Sequence, residues 1–99
     1  MSYPLILISI VTEGILKDRI AKLLLSHGVS GYTVIRAEGE GSRGVRALDW
    51  EGPNQKFEVI TTQAIADQVI EDLSQNYFDN YAVIAWLTEV SVLRGDKFS

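Results

Sequence analysis

The run Leu5-Ile6-Leu7-Ile8-Ser9-Ile10-Val11 constrains this chain more than any other feature. Successive side chains of a strand point to opposite faces, so a strand drawn from this run is apolar on both sides and has to be covered on both. Seven residues are too few to cross a bilayer, and the preceding residues 1–4 carry no basic segment of the kind that opens a secretory leader. The run is therefore read as a buried strand, and the chain as cytoplasmic. With 99 residues it makes a single domain, residues 1–99. A domain of that size buries only about two thirds of its unfolded surface, so assembly into an oligomer is an attractive way to finish the core.

Periodicity places the other elements. Thr12 reads as the N-cap of a helix with Glu13 in its first turn, and Ile15, Leu16, Ile20, Leu23 and Leu24 recur at helical spacing with Lys17, Arg19 and Lys22 turned outward. Gly28 offers a left-handed stop after His27. A second strand opens at Gly31, with Tyr32, Val34 and Arg36 on one side and Thr33, Ile35 and Ala37 on the other. From residue 39 to 54 periodicity disappears and Gly39, Gly41, Gly44, Gly52 and Pro53 dominate. A third strand spans residues 56–61 with Phe57 and Val59 on one face. Thr62 caps a helix whose core positions are Ile65, Val69, Leu73 and Tyr77, flanked by Ala66 and Ile70. Asp79 and Asn80 mark a turn before a final strand over residues 81–93, where Val83, Ala85 and Leu87 oppose Ile84, Trp86 and Val90. The order β-α-β-β-α-β predicts an α+β, ferredoxin-like fold: one antiparallel sheet, both helices on one face, and a long loop between strands 2 and 3. The face without helices is apolar as well, and a second copy of the chain is the simplest cover for it.

Several function classes are excluded. Nine basic residues against thirteen acidic ones leave a formal charge of -4, the wrong balance for a general nucleic-acid binder. Residues 56–59 lack the aromatic RNA-binding motif that this topology can carry. There is no cysteine, so disulfide and thiolate chemistry are absent. His27, the only histidine, is read as a helix C-terminal residue, and no metal-ligand spacing occurs. Glu13, Glu58 and Glu89 are read as solvated or strand-edge carboxylates, since no nucleophile or base stands beside them. Tyr77, Phe78 and Tyr81 are read as helix-end packing. Gly39, Gly41 and Gly44 spell G-x-G-x-x-G, but they lead toward an antiparallel strand rather than into a helix, so a dinucleotide fold is excluded. The chain is expected to need no cofactor or metal and to be no enzyme.

Gly39-Glu40-Gly41-Ser42-Arg43-Gly44-Val45-Arg46 is the centre of functional interest. Glycines let backbone N–H groups form an anion-binding nest, and Arg43 and Arg46 bring forked guanidinium groups that match phosphate oxygens. On the residues alone two readings stand open, a phosphate cradle or a polar loop with solvated arginines; a connection of this length is usually functional or disordered. Trp50 in the same loop is either an anchor for a partner or a side chain folded back over its own subunit.

With the loop placed, the chain resembles the PII signalling superfamily, and within it the PII-like regulators of the sodium-dependent bicarbonate transporter in carbon-concentrating photosynthetic bacteria. The resemblance rests on Val11-Thr12-Glu13 with Ile20-Ala21-Lys22, on Gly31-Tyr32-Thr33-Val34, on Gly41-Ser42-Arg43-Gly44-Val45-Arg46, and on Lys56-Phe57-Glu58 followed by Tyr77-Phe78. It implies a homotrimer that binds an adenine nucleotide between subunits at the base of the loop, known in that family as the T-loop, and that docks on a membrane bicarbonate transporter. By position it implies that Gly39, Gly41, Ser42 and Arg43 contact the nucleotide, that Arg46 is a second phosphate-facing arginine, and that Thr33 and Ile60 pack against adenine and ribose. Two departures shape the expectation. The connection Asp79-Asn80-Tyr81-Ala82 is short and carries no cation, which favours AMP, cyclic AMP or ADP over ATP. The chain ends at Lys97-Phe98-Ser99 without a cysteine-bearing extension, so no redox switch is expected. It would not insert into a membrane itself and would be peripheral at the inner membrane only through its transporter. Two rivals share the topology: an ACT-like small-molecule sensor and a trimeric scaffold or shell component.

Overall fold

The structure, a computed structural model, describes residues 3–38 and 54–94. Strand β1 (Tyr3–Thr12) leads through a single 3-10 turn (Gly14–Leu16) into helix α1 (Lys17–Ser26). Strands β2 (Thr33–Ala37) and β3 (Asn54–Thr61) follow, then helix α2 (Gln63–Asn76) and strand β4 (Ile84–Val92). The four strands form one sheet in the order β2-β3-β1-β4, and every neighbouring pair is antiparallel. This is the ferredoxin-like arrangement expected from the element order. The apolar run occupies a central strand, where both faces have to be covered.

Cross-strand register sorts the two faces. Ile6, Ile8 and Ile10 stand opposite Thr61, Val59 and Phe57. They are packed beneath Ile20, Leu23 and Leu24 of α1 and Ala66, Val69 and Leu73 of α2 in one buried cluster. Each large apolar side chain there, when fully buried, stabilises the fold by about 1.5–3 kcal/mol relative to exposure. Leu7, Ile60 and Trp86 belong to the opposite face, as do Val11, Ile84 and Ile35. Ile84 is 60% exposed, Ile35 45% and Trp86 43%.

Local chemistry explains most boundaries. Gly28 has φ +87°, a left-handed conformation that closes α1 as its position predicts. The Thr62 hydroxyl accepts from the Ile65 N–H at 3.3 Å and caps α2. Thr12 does not cap α1: it stays in β1, buried, and its hydroxyl donates to the Glu13 carbonyl. The 3-10 turn that intervenes rotates Ile15 outward, so this residue is 59% exposed instead of forming core with Leu16. Strand β2 begins at Thr33 rather than Gly31, and β4 at Ile84 rather than Tyr81. On β4, Leu87 lies opposite Ile8 yet is partly exposed, because β4 forms the edge of the sheet. Among the described residues, no helix is long and apolar enough to cross a membrane.

Candidate functional site

A step in the sheet creates the most suggestive hollow. The β2–β3 ladder runs from Ala37 opposite Asn54 to Thr33 opposite Glu58. Strand β3 continues to Thr61, so Val59, Ile60 and Thr61 lie beyond the end of β2. The resulting recess of about 240 Å³ is lined by Leu7, Gly31, Tyr32, Thr33, Glu58 and Ile60. Leu7 lies opposite Ile60 and Thr33 opposite Glu58, which puts the recess on the face that the helices leave open. Tyr32 is set by its ring, which tilts against Phe57 with centroids 5.4 Å apart. Thr33 and Ile60, expected from the sequence to meet adenine and ribose, thus line one cavity.

Glu58 joins them there, a residue whose position in the sequence suggests only a plain strand carboxylate. Its Oε2 lies 3.5 Å from Lys56 Nζ, and that ammonium reaches across β1 to sit 5.5 Å from the Trp86 ring centre. The carboxylate therefore has a counter-charge while its side chain stays 39% exposed. Across the sheet, Thr33, Glu58 and Ser9 follow one another in register, a polar row on the open face, with Lys56 two residues along β3 from Glu58.

The remaining expected site residues, Gly39, Gly41, Ser42, Arg43 and Arg46, together with Trp50, lie outside the described residues. The ends of their segment are nevertheless located: Ala37 and Asn54 are paired at the far end of the ladder from Thr33. Four strand steps separate Thr33 from Ala37, about 13 Å. The base of the loop and the recess of one chain are therefore at opposite ends of β2. The recess is also smaller than the ~300–1,000 Å³ of a complete small-molecule pocket, as half of a shared cleft would be.

Elsewhere the chemistry is structural. Glu13 is not a solvated carboxylate: it is 6% exposed and its Oε2 accepts the Ala82 N–H at 2.7 Å, fastening the approach to β4 onto the end of β1. The Arg19 guanidinium sits over the rings of Tyr77 and Tyr81, at 5.3 and 5.8 Å. Hydrogen bonding to Tyr81, reinforced by Tyr77, raises its pKa above the ordinary arginine value, so it stays charged. His27 does more than end α1, since its Nε2 is 2.8 Å from Asp72 Oδ2 on α2. A larger hollow of about 510 Å³ near Leu5, Gln63 and Glu89 has no cation among its described lining residues. No group of three or more metal-ligating side chains occurs among the described residues.

Comparison with known proteins agrees with this architecture. The family described as nitrogen regulatory protein P-II matches residues 5–97. A PII-like signalling protein of Thermus thermophilus is 42% identical, with 99% of this chain and 98% of that chain covered and a TM-score of 0.86. The CPII protein of Thiomonas intermedia, in a structure bound to ADP and bicarbonate, is 25% identical over 100% of this chain and 98% of its own, with a TM-score of 0.87. GlnK of B. subtilis, in a complex with ATP, shares the fold at a TM-score of 0.66 and 20% identity, over 91% of this chain and 84% of that one.

Proposed function

This chain belongs to the nitrogen regulatory protein P-II family, and from that premise we propose that it is a non-catalytic signalling regulator that senses an adenine nucleotide in clefts between the subunits of a homotrimer. The ligand is AMP, cyclic AMP or ADP rather than ATP. Thr33 and Ile60 pack against its nucleoside part. Gly39, Gly41, Ser42, Arg43 and Arg46 of a neighbouring chain hold its phosphate.

The observation that carries this reading is the Thr33–Ile60 recess of about 240 Å³, on the open face and about 13 Å along the strand from the base of the loop. ADP in the full-length match with CPII supports the ligand class. The choice against a triphosphate rests on the turn before β4, whose Ala82 N–H is taken by a carboxylate. That group would repel a further phosphate rather than bind it.

The signal leaves through the 39–54 loop. We propose that it docks on a membrane bicarbonate transporter with Trp50 as an anchor, and that nucleotide meeting Arg43 and Arg46 sets whether docking occurs. Bicarbonate in the CPII structure supports a link to inorganic carbon. The protein would work in the cytoplasm and reach the inner membrane only through its partner.

A thermal-shift panel with AMP, cyclic AMP, ADP and ATP tests the ligand class. A ligand at a hundred times its Kd stabilises the folded state by about 2.7 kcal/mol, enough to raise Tm by several degrees. AMP, cyclic AMP or ADP should give that rise and ATP a smaller one. No rise with any of the four would leave the chain as a scaffold or as a sensor of some other small molecule.

A further inference from the structure

We infer that the groove between α1 and α2 is a second binding site, one that takes an acidic amino acid, with its two carboxylates on Arg19 and Lys22 and its ammonium on Asp72. The inference is independent of the nucleotide reading and adds a separate ligand on the opposite side of the sheet.

The two helices present facing stripes of opposite character. Arg19, Lys22 and Ser26 recur along one side of α1, and Asp72 and Asn76 stand one turn apart on α2. All five line one open groove of about 450 Å³, whose floor is made by Leu23 and Tyr77, both nearly buried. Donor groups and cations thus come from one wall and a carboxylate from the other. Subunits that meet on the open sheet face leave this groove on the outer surface, where a small molecule reaches it.

Charge selects the ligand. Neither Arg19 nor Lys22 forms an ion pair among the described residues. Arg19 is held instead over the Tyr77 and Tyr81 rings, 5.3 and 5.8 Å away, which positions the guanidinium without neutralising it. Asp72 is positioned too: its Oδ2 lies 2.8 Å from His27 Nε2, and its Oδ1 accepts from Asn76 Nδ2 at 2.7 Å. A carboxylate offers about four acceptor positions, so these contacts leave Asp72 able to take an ammonium. A dianion alone would bring like charge against Asp72, and a cation alone against Arg19 and Lys22. Two carboxylates and one ammonium match the two cations and one carboxylate of the groove, and the aliphatic stem between them lies on Leu23 and Tyr77.

Amide chemical-shift titration of the whole chain by NMR tests this, with L-glutamate, L-glutamine and glutarate. L-Glutamate should saturably shift amides within residues 19–27 and 72–77. It should bind about three- to fivefold more tightly than L-glutamine, which lacks one carboxylate, and than glutarate, which lacks the ammonium, the scale of one exposed ion pair. Lys22→Gln should remove the preference over L-glutamine. Asp72→Asn should remove the preference over glutarate by weakening L-glutamate while glutarate binds as tightly as before or more so. A variant that merely loosened the helices would weaken all three ligands together. Absence of a saturable shift with L-glutamate, shifts confined to other residues, or equal binding of the three ligands by wild type overturns the inference without any variant. So does a wild-type ranking of the ligands in Lys22→Gln or Asp72→Asn, or a parallel loss of all three.

Discussion

The carboxylate of Glu13 is nearly buried and takes a backbone N–H 69 residues away in sequence. Hydrogen bonds to charged groups contribute about 1.5–3 kcal/mol, so Glu13→Ala should lower unfolding free energy by about that amount in urea titration. Ile15→Ala should change it by less than about 0.5 kcal/mol, since Ile15 is 59% exposed. A Glu13→Ala variant as stable as wild type would show that the contact does not fasten β4. Neither residue is legible from spacing: a glutamate after a Thr looks like first-turn helix chemistry, and Ile15 fits the helical stripe until a 3-10 turn shifts it. Thr33 and Ile60 are legible only through family resemblance, and Glu58 stays hidden because its neighbour in the recess comes from another strand. At the loop, Arg43→Ala and Arg46→Ala should each weaken AMP by about ten- to a hundredfold while leaving adenosine nearly unaffected. Calorimetry with both ligands checks this; equal losses for AMP and adenosine would move the phosphate contact elsewhere.

At the scale of elements, periodicity carries almost the whole topology, because strands and helices have different apolar repeats and glycine or asparagine turns separate them. The errors gather at ends held by tertiary contacts. Residues 81–83 are apolar enough to read as strand, yet the Tyr81 ring packs tilted against Tyr77 under Arg19 and Ala82 is held by Glu13, so pairing with β1 starts only at Ile84 opposite Val11. The open sheet face is legible from the 5–11 run and is the element with the largest unmet need for cover. Ile84→Asp places a charge on that face at a residue 60% exposed in the single chain. If the face joins subunits, this variant should sediment as a smaller species with unchanged far-UV circular dichroism, because burying an unpaired carboxylate in an interface is costly. An Ile84→Asp protein that assembles as wild type does would assign the subunit contact to another surface.

For the molecule as a whole, a small sheet with one face covered by helices and the other carrying exposed Ile35, Ile84 and Trp86 asks for neighbouring copies. Membership in the P-II family fits this. The fold is recoverable from 99 residues because it is set by local repeats. The proposed site is not: Thr33 and Ile60 are found only through the family resemblance, and residues 39, 41–43 and 46 lie outside the described residues. The most direct test is calorimetric titration of AMP into the wild-type protein at a chain concentration where light scattering returns its assembled mass. Three chain masses and saturable binding of one AMP per chain are expected, with adenosine much weaker. A monomer, or no saturable heat from AMP, cyclic AMP or ADP, would contradict the nucleotide-sensing trimer.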